Sequence, residues 1–315
     1  MTLRISLVLS SYNGSEYIDE QLDSLRLQDR TFDEVLICDD CSTDGTYDII
    51  RSYIDRFKLE KWSVAVNAVN NGWKVNFHKL IKHATGDLIF LCDQDDVWLP
   101  SKVSEMAFLM ENHPEIDVLA CDVEPFYETG SKKVPNVGNG ANDGALLHEQ
   151  INAKSIYVTR PGCAYCIRKT FANEIEPFWK ESWAHDAMLW ELSQVKGTLA
   201  LYDKRLVKFR RHATNASARK KMTREDRIHD VEDLIDRVRL MKRFGLEKKT
   251  LEKADELLLD DINSWLNFRI SFLAHLVASR RERACYAFFG VLCVGSSENG
   301  RLWPGVFVGL LPLPH

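Results

Sequence analysis

The fold is decided by Leu88-Ile89-Phe90-Leu91-Cys92-Asp93-Gln94-Asp95-Asp96-Val97-Trp98, a stretch in which five apolar residues run directly into three carboxylates. An apolar run of this length, closed by the helix breaker Pro100, predicts a buried strand. The carboxylates then follow the carboxyl end of that strand, where open α/β sheets bind their ligands. The sequence therefore places a candidate ligand site directly after a buried strand.

The three carboxylates of this stretch have like charges that need a neutralising partner. Asp93, Asp95 and Asp96 repel one another when all are ionised, and carboxylate oxygens are ligands that hard divalent cations prefer. The alternative is a strand-end turn in which one Asp caps the helix that begins near Pro100. A single Asp suffices for a cap, so the sequence favours a cation site and leaves the cap to Asp96.

Two earlier strand patterns also end in polar loops. Residues 5–9 are apolar and lead into Tyr12-Asn13-Gly14, and residues 35–38 lead into Asp39-Asp40. Helical patterns of about 10–15 residues separate the strands, which predicts an α/β fold with a doubly wound, mostly parallel sheet. Because the carboxyl ends of parallel strands meet at one edge, we expect the three polar loops to form one cleft.

The bulk composition is that of an ordinary globular protein. The 315 residues are 45% hydrophobic and carry a formal net charge of -5, which argues against a general nucleic-acid binder. Eight cysteines are scattered, several of them in apolar runs, which predicts reduced, buried thiols and a cytoplasmic protein. The pair Cys163-x-x-Cys166 lacks a second pair or nearby histidines at finger spacing, so no zinc site is expected. Neither a cleavable signal peptide nor a membrane span is expected.

Two later polar groups are open to both a structural and a functional interpretation. Asp186 begins a helix, where the helix dipole favours an acidic residue, but the aromatic residues before it also suit a general base. Arg210 and Arg211 offer planar donors for a phosphate beside His212, yet basic runs are also common on solvated faces. The residues themselves leave these alternatives open.

Residues 219–315 predict a helical second region after a first domain of residues 1–218. An apolar stripe continues to Phe244-Gly245, the predicted end of one long helix, and a second helix is expected over residues 251–279. A basic cluster at 280–283 and an apolar tail at 302–311 suit peripheral contact with the anionic inner face of the cell membrane. Docking of the tail onto the first domain is the alternative that remains open.

Several motifs, taken together, closely resemble the inverting GT-A glycosyltransferases of family 2, particularly the bacterial rhamnosyltransferase-like group. They cover about residues 3–218, and one mild departure is that Ser10 or Ser11 replaces the usual Pro before the first loop. The resemblance implies a GT-A fold with a C-terminal helical extension. The matching motifs are Val8–Asn13, Ile37–Thr46, Gly86-Asp87 through Asp93–Lys102, His185-Asp186 and Arg210–His212.

The resemblance also implies where a nucleotide-sugar donor would bind. Asp39 or Asp40 would accept a hydrogen bond from the nucleotide base, and Tyr12 and Asn13 would line the same pocket. Asp93 would lie on the diphosphate or ribose side of this nucleotide.

The remaining implied roles concern metal and catalysis. Asp95, assisted by Asp93, would hold Mg²⁺ or Mn²⁺ against the diphosphate, and the metal would neutralise charge on the leaving group. Arg210 and His212 would bind the diphosphate or the metal. Asp186 would be the general base that deprotonates the acceptor hydroxyl.

The resemblance favours L-rhamnose as the transferred sugar and a surface polysaccharide or lipid-linked oligosaccharide as the acceptor. One alternative is a haloacid-dehalogenase-type phosphatase with Asp93 as nucleophile in an Asp93-x-Asp95-x-Val97 signature. That signature belongs on the first strand, and this alternative leaves Asp186 unexplained. A non-catalytic sugar-binding protein is the third possibility, and the complete set of carboxylates argues against it.

Overall fold

The computed structural model describes residues 2–128, 140–212 and 223–274. The chain divides into two compact units, the first made of residues 1–150 and 157–218 and the second of residues 151–156 and 219–315. In chain order the helices and strands are β1 (Ile5–Ser11), α1 (Ile18–Arg26), β2 (Glu34–Asp39), α2 (Thr46–Phe57), β3 (Trp62–Val66), α3 (Trp73–His83), β4 (Leu88–Cys92), β5 (Val97–Trp98), α4 (Lys102–Asn112), β6 (Val118–Tyr127), β7 (Leu146–His148), β8 (Tyr165–Arg168), α5 (Lys169–Ile175), α6 (His185–Lys196), β9 (Leu199–Arg211), α7 (Arg224–Lys248) and α8 (Lys253–Ala274).

The first unit is built on a sheet whose parallel half carries the predicted motifs. The strand order is β3-β2-β1-β4-β8-β6-β9-β5, and β7 pairs with β9. β1 is parallel to both β2 and β4, and β2 is parallel to β3. Every residue of β1 and β4 is buried, as expected for strands that are covered on both faces. The predicted α/β fold is confirmed, and the three polar loops follow neighbouring parallel strands.

The other half of the sheet contains antiparallel pairs that the sequence pattern did not predict. β8 lies between β4 and β6 and is antiparallel to both. The two-residue strand β5 follows the acidic loop and pairs antiparallel with β9. So short a strand has no periodicity that a sequence could reveal. This pairing connects the acidic loop to the last strand of the unit.

Gly86 allows the chain before β4 to approach β1 closely. A Cβ atom at this position would lie 2.6 Å from the backbone nitrogen of Ser6 and 3.0 Å from the carbonyl oxygen of Arg4. The Gly86 N–H also donates a hydrogen bond to Ser6 Oγ at 2.8 Å. The pairing of the central strand β4 with β1 therefore depends on the absence of a side chain at residue 86.

The helix after the acidic loop is not capped by Asp96. α4 begins at Lys102 after the N-cap residue Ser101, and no side chain among the described residues caps it. Asp96 is instead fully buried, and it accepts a hydrogen bond from the Arg210 backbone N–H at 2.9 Å. The predicted cap is wrong because β5 and Pro100 separate Asp96 from the helix.

In its described part, the second unit consists of two long helices and a short segment. α7 begins with a capping box, in which the Asp226 N–H donates to Thr223 Oγ1 at 3.1 Å and the Thr223 N–H donates to Asp226 Oδ2 at 2.7 Å. The helix continues to Lys248, beyond the end predicted at Phe244-Gly245. Both of these residues are buried in α7, and burial outweighs the helix-propensity cost of glycine, about 1 kcal/mol.

Membrane contact was predicted for a part of the chain that lies outside the described residues. The basic cluster at 280–283 and the apolar tail at 302–311 both fall there, as do residues 275–279 of the second predicted helix. None of the helices over 2–128, 140–212 and 223–274 combines the length and apolar character needed to cross a membrane.

Candidate active site

One side chain ties the loop after β1 to the acidic loop after β4. Gln94 Oε1 accepts a hydrogen bond from the Tyr12 N–H at 2.7 Å, and Gln94 Nε2 donates to the Tyr12 carbonyl at 3.0 Å. Gly14 leaves room for this pairing, because a Cβ atom there would overlap the Gln94 carboxamide. Gln94, the uncharged member of the acidic loop, therefore holds two strand ends together.

The loop after β2 is bound to the same β1 loop. The Asn13 N–H donates to Ser42 Oγ at 2.8 Å, and the Thr43 N–H donates to Asn13 Oδ1 at 2.9 Å. The Gly14 N–H donates to Thr46 Oγ1 at 2.9 Å. Asn13 has a φ of 47°, in the left-handed region that Asn tolerates better than most residues. The three predicted polar loops thus meet at one edge of the sheet.

Asp39 is fully buried and organises the loop that follows β2. Its Oδ2 accepts hydrogen bonds from Ser11 Oγ at 2.9 Å and Ser42 Oγ at 2.6 Å, and its Oδ1 accepts one from the Ser42 N–H at 2.8 Å. A carboxylate has about four acceptor positions, so these bonds use most of its capacity. Asp39 is therefore held in place by its own loop.

Asp40 is buried in the same way and organises the chain that leads into α3. Its Oδ1 accepts from Asn67 Nδ2 at 2.7 Å and from the Asn71 N–H at 2.9 Å, and its Oδ2 accepts from the Gly72 N–H at 2.7 Å. Asn67 Nδ2 also donates to Asn76 Oδ1 at 2.9 Å. No motif marks Asn67 or Asn76 in the sequence, because amides are common in turns and on exposed faces.

The acidic loop after β4 is electrostatically crowded. Burial raises the pKa of Asp93 well above its ordinary value, and the neighbouring carboxylates of Asp96, Asp95 and Asp186 raise it further. Burial, followed by the charge of Asp95, raises the pKa of Asp96 to about 7. A nearby cation would stabilise the ionised form of these carboxyl groups and would offset the mutual repulsion that raises their pKa values. The loop therefore has the electrostatic character of a cation site.

Lys102 is a buried cation beneath this loop that no sequence signal marked as a site residue. Its ammonium donates a hydrogen bond to the Cys163 carbonyl at 2.6 Å and lies 3.0 Å from the centroid of the Trp98 ring. Burial lowers the pKa of Lys102, while nearby groups including Asp96 act in the opposite direction. Lys102 therefore offsets part of the negative charge of the loop.

Asp95 and His212, two predicted metal ligands, are adjacent. His212 Nε2 lies 2.8 Å from Asp95 Oδ2, and both side chains are mostly buried. The His212 ring also packs against Tyr17, with ring centroids 4.7 Å apart. The structure thus brings together a carboxylate and an imidazole that are 117 positions apart in the chain.

Arg210 braces the acidic loop from the end of β9. Its Nε donates to the Asp95 carbonyl at 2.7 Å. Its guanidinium also pairs with Glu128 at 3.0 Å and with Glu20. These carboxylates lie in distant parts of the sequence, so local sequence could not show them. Binding of a diphosphate by Arg210 stays a prediction, and the side chain already holds the loop in shape.

Asp93 and Asp96 gather with Cys163 into a group that suits a divalent cation. One potential ligand atom from each residue lies within 4.8 Å of the other two. Asp96 Oδ2 is buried, and no described residue makes a well-directed hydrogen bond to it. The donor set of two carboxylates and a thiol therefore fits a divalent metal ion. Cys163 was not predicted as a ligand, because its approach to the loop depends on the position of β8.

Asp186, the predicted general base, lies near the acidic loop. It occupies the first turn of α6, and its charge raises the pKa of Asp93. Its Oδ1 accepts a hydrogen bond from the Ala187 N–H at 2.8 Å. The preceding residue, His185, packs on Phe77 with ring centroids 4.0 Å apart, and burial lowers the pKa of His185 to about 4. A neutral, buried ring thus fixes the start of the helix that carries Asp186.

The aromatic residues before Asp186 serve mainly in packing. Phe178 is buried, and Trp179 stacks on His78 with ring centroids 4.6 Å apart and an interplanar angle of 9°. His78 Nε2 in turn lies 2.9 Å from Glu176 Oε2. These two aromatic residues therefore take part in packing, and a place for them beside the candidate base stays a prediction.

The family model described as glycosyl transferase family 2 matches residues 6–180, more than half of the chain. The chain belongs to glycosyl transferase family 2. The matched residues of this family 2 protein contain all three strand-end loops and Cys163 but stop before Asp186 and His212. The roles of those two residues therefore depend on the geometry and on the motifs.

Individual relatives of this family 2 protein match over part of their length. An uncharacterised protein of Mycobacterium tuberculosis is 38% identical over 130 residues, which are 41% of this chain and 37% of that protein. The dTDP-rhamnosyl transferase RfbG of Shigella flexneri is 29% identical over 182 residues, 54% of this chain and 57% of RfbG. The chain thus matches less than two thirds of either relative.

A solved structure shows the same fold. The structure of Staphylococcus aureus TarS residues 1–349 in complex with UDP-GlcNAc aligns with a TM-score of 0.62 and 20% identity. The alignment covers 93% of this chain and 80% of that one. At this identity the likeness establishes the GT-A fold alone.

Proposed function

We propose that this family 2 protein is a metal-dependent inverting glycosyltransferase that moves a sugar from a nucleoside-diphosphate sugar to an acceptor hydroxyl. The observation that carries the proposal is the convergence of three strand-end loops, joined through Gln94 and Asn13, on a crowded acidic group near Asp186. Such a cleft would give a nucleotide, a cation and a base separate places. Membership of glycosyl transferase family 2 supports the reaction class.

The nucleotide would bind against the loops after β1 and β2. Tyr12 is 46% exposed although its backbone is fixed by Gln94, so its ring is available to a nucleotide base. Asn13 lines the same pocket. Asp39 and Asp40 are largely satisfied by their own loops, so each has little capacity left to accept a base N–H. Their main contribution would be to hold the pocket in shape.

The cation, Mg²⁺ or Mn²⁺, would be held by Asp95 and Asp93 with His212. When bound, it would neutralise charge on the diphosphate leaving group. The contacts of Arg210 with the Asp95 carbonyl and the Asp96 carboxylate would keep the loop in position. This role of Arg210 agrees better with its partners than direct binding of the diphosphate.

Asp186 would act as the general base toward the acceptor hydroxyl. Its Oδ1 accepts one backbone hydrogen bond from Ala187, which orients the carboxylate in the first turn of α6. A carboxylate oriented in this way would accept the proton of the attacking hydroxyl.

The substrates are the finer part of the proposal. RfbG is named as a dTDP-rhamnosyl transferase, and this supports dTDP-L-rhamnose as donor. The acceptor would be a surface polysaccharide or a lipid-linked oligosaccharide. Contact with the inner face of the membrane through residues 280–283 would bring the enzyme to a lipid-linked acceptor.

A panel of sugar nucleotides tests the proposal. The full chain is melted with Mn²⁺ and dTDP-L-rhamnose, UDP-hexoses or UDP-N-acetylhexosamines. At a hundredfold excess over the dissociation constant, binding stabilises by about 2.7 kcal/mol, which corresponds to roughly 5–10 °C in Tm. One nucleotide should raise the Tm by this amount. If none does, the glycosyltransferase proposal is overturned.

The variant Asp186→Asn tests the base. Transfer should fall by about 10²–10⁴-fold while the Tm increase with the nucleotide is retained, because only proton transfer is removed. Asp19→Asn is the matched control, since Asp19, like Asp186, lies in the first turn of a helix. Undiminished transfer in Asp186→Asn would overturn the assignment.

A further inference from the structure

Cys163 is held close to the acidic loop by its backbone. It lies in a short 3-10 turn of residues 162–164, closed by a hydrogen bond from the Ala164 N–H to the Pro161 carbonyl at 3.0 Å. Lys102 fixes the same turn through the Cys163 carbonyl at 2.6 Å. With the backbone fixed in this way, the sulfur is preorganised beside the Asp93 and Asp96 carboxylates.

The buried Asp96 carboxylate has one well-directed hydrogen bond among the described residues. Asp96 Oδ1 accepts it from the Arg210 N–H at 2.9 Å, whereas no described residue makes a well-directed bond to Oδ2. The Cys163 thiol also interacts with this carboxylate, and a thiol is a weak donor. A buried carboxylate that lacks strong donors is costly, and ligation of a cation is one of the ways in which proteins remove that cost. Asp96 belongs to the group formed with Asp93 and Cys163.

The charges around this group favour a cation. Ionised Asp93 and Asp96 and a Cys163 thiolate carry three negative charges, and the carboxylates of Asp95 and Asp186 also act on Asp93. The buried Lys102 carries one positive charge, so a net negative charge remains for a divalent cation to neutralise.

We propose that Asp93, Asp96 and Cys163 form a mixed carboxylate–thiolate metal site that binds Zn²⁺ or Cd²⁺ in preference to Mg²⁺. A thiolate is a soft ligand that selects borderline and soft ions, whereas Mg²⁺ requires oxygen ligands and keeps its waters. The site differs from the Asp95–His212 pair, and it shares Asp93 with the Mg²⁺ or Mn²⁺ ligands suggested above. On binding, the Cys163 S–H bond breaks, a metal–sulfur bond forms and the proton passes to solvent.

Cd²⁺ titration of the full chain without nucleotide is the first test. A thiolate that binds Cd²⁺ gives a charge-transfer absorption in the ultraviolet, and the native chain should show it with one equivalent that excess Mg²⁺ does not displace. Cys163→Ser should lose that equivalent and bind Cd²⁺ at least about tenfold more weakly, a difference of about 1.4 kcal/mol. Cys166→Ser is the matched control, because Cys166 is equally buried three residues later.

The comparison between variants removes the contribution of other thiols. Cys38 and Cys41 are partly exposed and contribute equally to the native chain and to both variants. An absorption that is the same in the native chain and in Cys163→Ser would overturn the proposal. So would loss of the signal in Cys166→Ser to the same extent.

X-ray absorption of the zinc-loaded native chain gives an answer even if a variant folds poorly. One sulfur at about 2.3 Å with the remaining ligands at about 2.0–2.2 Å supports the site, and a shell without sulfur overturns it. Neither measurement uses a sugar nucleotide. Failure of the metal site therefore leaves the proposed transfer reaction standing, and failure of the transfer reaction leaves this site standing.

Discussion

The loops after β2 and β4 both begin with carboxylates at the ends of buried parallel strands, yet their surroundings differ. Asp39 and Asp40 each accept three hydrogen bonds from hydroxyl, amide or backbone donors. Asp93 and Asp96 face other carboxylates, and burial together with these charges raises their pKa values. The same residue type therefore stabilises the fold in one loop and is strained by repulsion in the other.

The supply of donors explains the difference. Around Asp40, the chain brings in Asn67 and the backbone N–H groups of Asn71 and Gly72. Around Asp96, one backbone N–H is supplied and the second oxygen is left without a well-directed hydrogen bond among the described residues. A buried carboxylate with donors on both oxygens serves structure, whereas one with an unsatisfied oxygen is suited to bind an ion.

The largest expected effect is on function in the second loop. Asp95→Asn should reduce transfer by at least about 100-fold, since a ligand for the cation that stabilises the leaving group is weakened. The fold should persist, because the substitution removes a charge from a crowded loop. Transfer with the donor found in the nucleotide panel, together with Mn²⁺ binding by electron paramagnetic resonance, checks this. Normal Mn²⁺ affinity in the variant would remove Asp95 from the metal ligands.

In the first loop, the expected effect is on stability. Asp40→Asn should lower the free energy of unfolding by about 1–3 kcal/mol, because an amide cannot accept on both sides and leaves a buried donor such as the Gly72 N–H unsatisfied. Denaturant unfolding measures the change. Asp55→Asn is the control, since Asp55 is exposed on α2. Equal stability of the two variants would contradict the structural role of Asp40.

The corresponding substitution in the second loop should act in the opposite direction. In a chelator, Asp96→Asn should raise the free energy of unfolding by about 1–2 kcal/mol. Asn keeps an acceptor for the Arg210 N–H and removes a poorly compensated buried charge. Thermal melts near pH 8 with and without Zn²⁺ give the readout, and stabilisation by Zn²⁺ should be lost in the variant. A fall in Tm in the chelator would remove the contrast between the two loops.

The smallest expected effect is the pH dependence of the folding stability that Asp44 contributes. Burial raises the pKa of Asp44, but hydrogen bonds from Thr46 and Ser15 outweigh it and lower the pKa from 3.8 to about 2. A pKa that is lower in the folded state adds stability above the unfolded value, and this stability is lost as the pH falls from about 4 to about 2. Near neutral pH, the Tm of Asp44→Asn should therefore be lower than that of the native chain.

The two melting curves for Asp44 should converge as the pH approaches 2. Thermal melts at several pH values between about 2 and 6 provide the measurement. Because Asp44 is exposed, solvent screening keeps the difference small. A gap between the two proteins that stays constant over this range would show that the ionised carboxylate does not stabilise the loop.

The candidate site was predictable from the sequence where its residues follow strands. Asp39, Asp40, Asp93 and Asp95 come directly after apolar runs, and parallel pairing brings those strand ends together. Lys102 and Cys163 could not be recognised in this way. A lysine at the start of a helix is ordinarily exposed, and the cysteine reaches the loop only because β8 inserts antiparallel between β4 and β6.

The sequence by itself determined the alternation of strands and helices, the parallel half of the sheet and the loops that form the cleft. Hydrophobic periodicity is a local property, and it states directly which segments are buried. Only the tertiary structure decided which carboxylates are satisfied and which are not. Hydrogen-bond donors and opposite charges come from distant parts of the chain, as Glu128 does for Arg210 and Asn67 for Asp40. The chemical character of each acidic loop therefore depends on contacts that no local pattern contains.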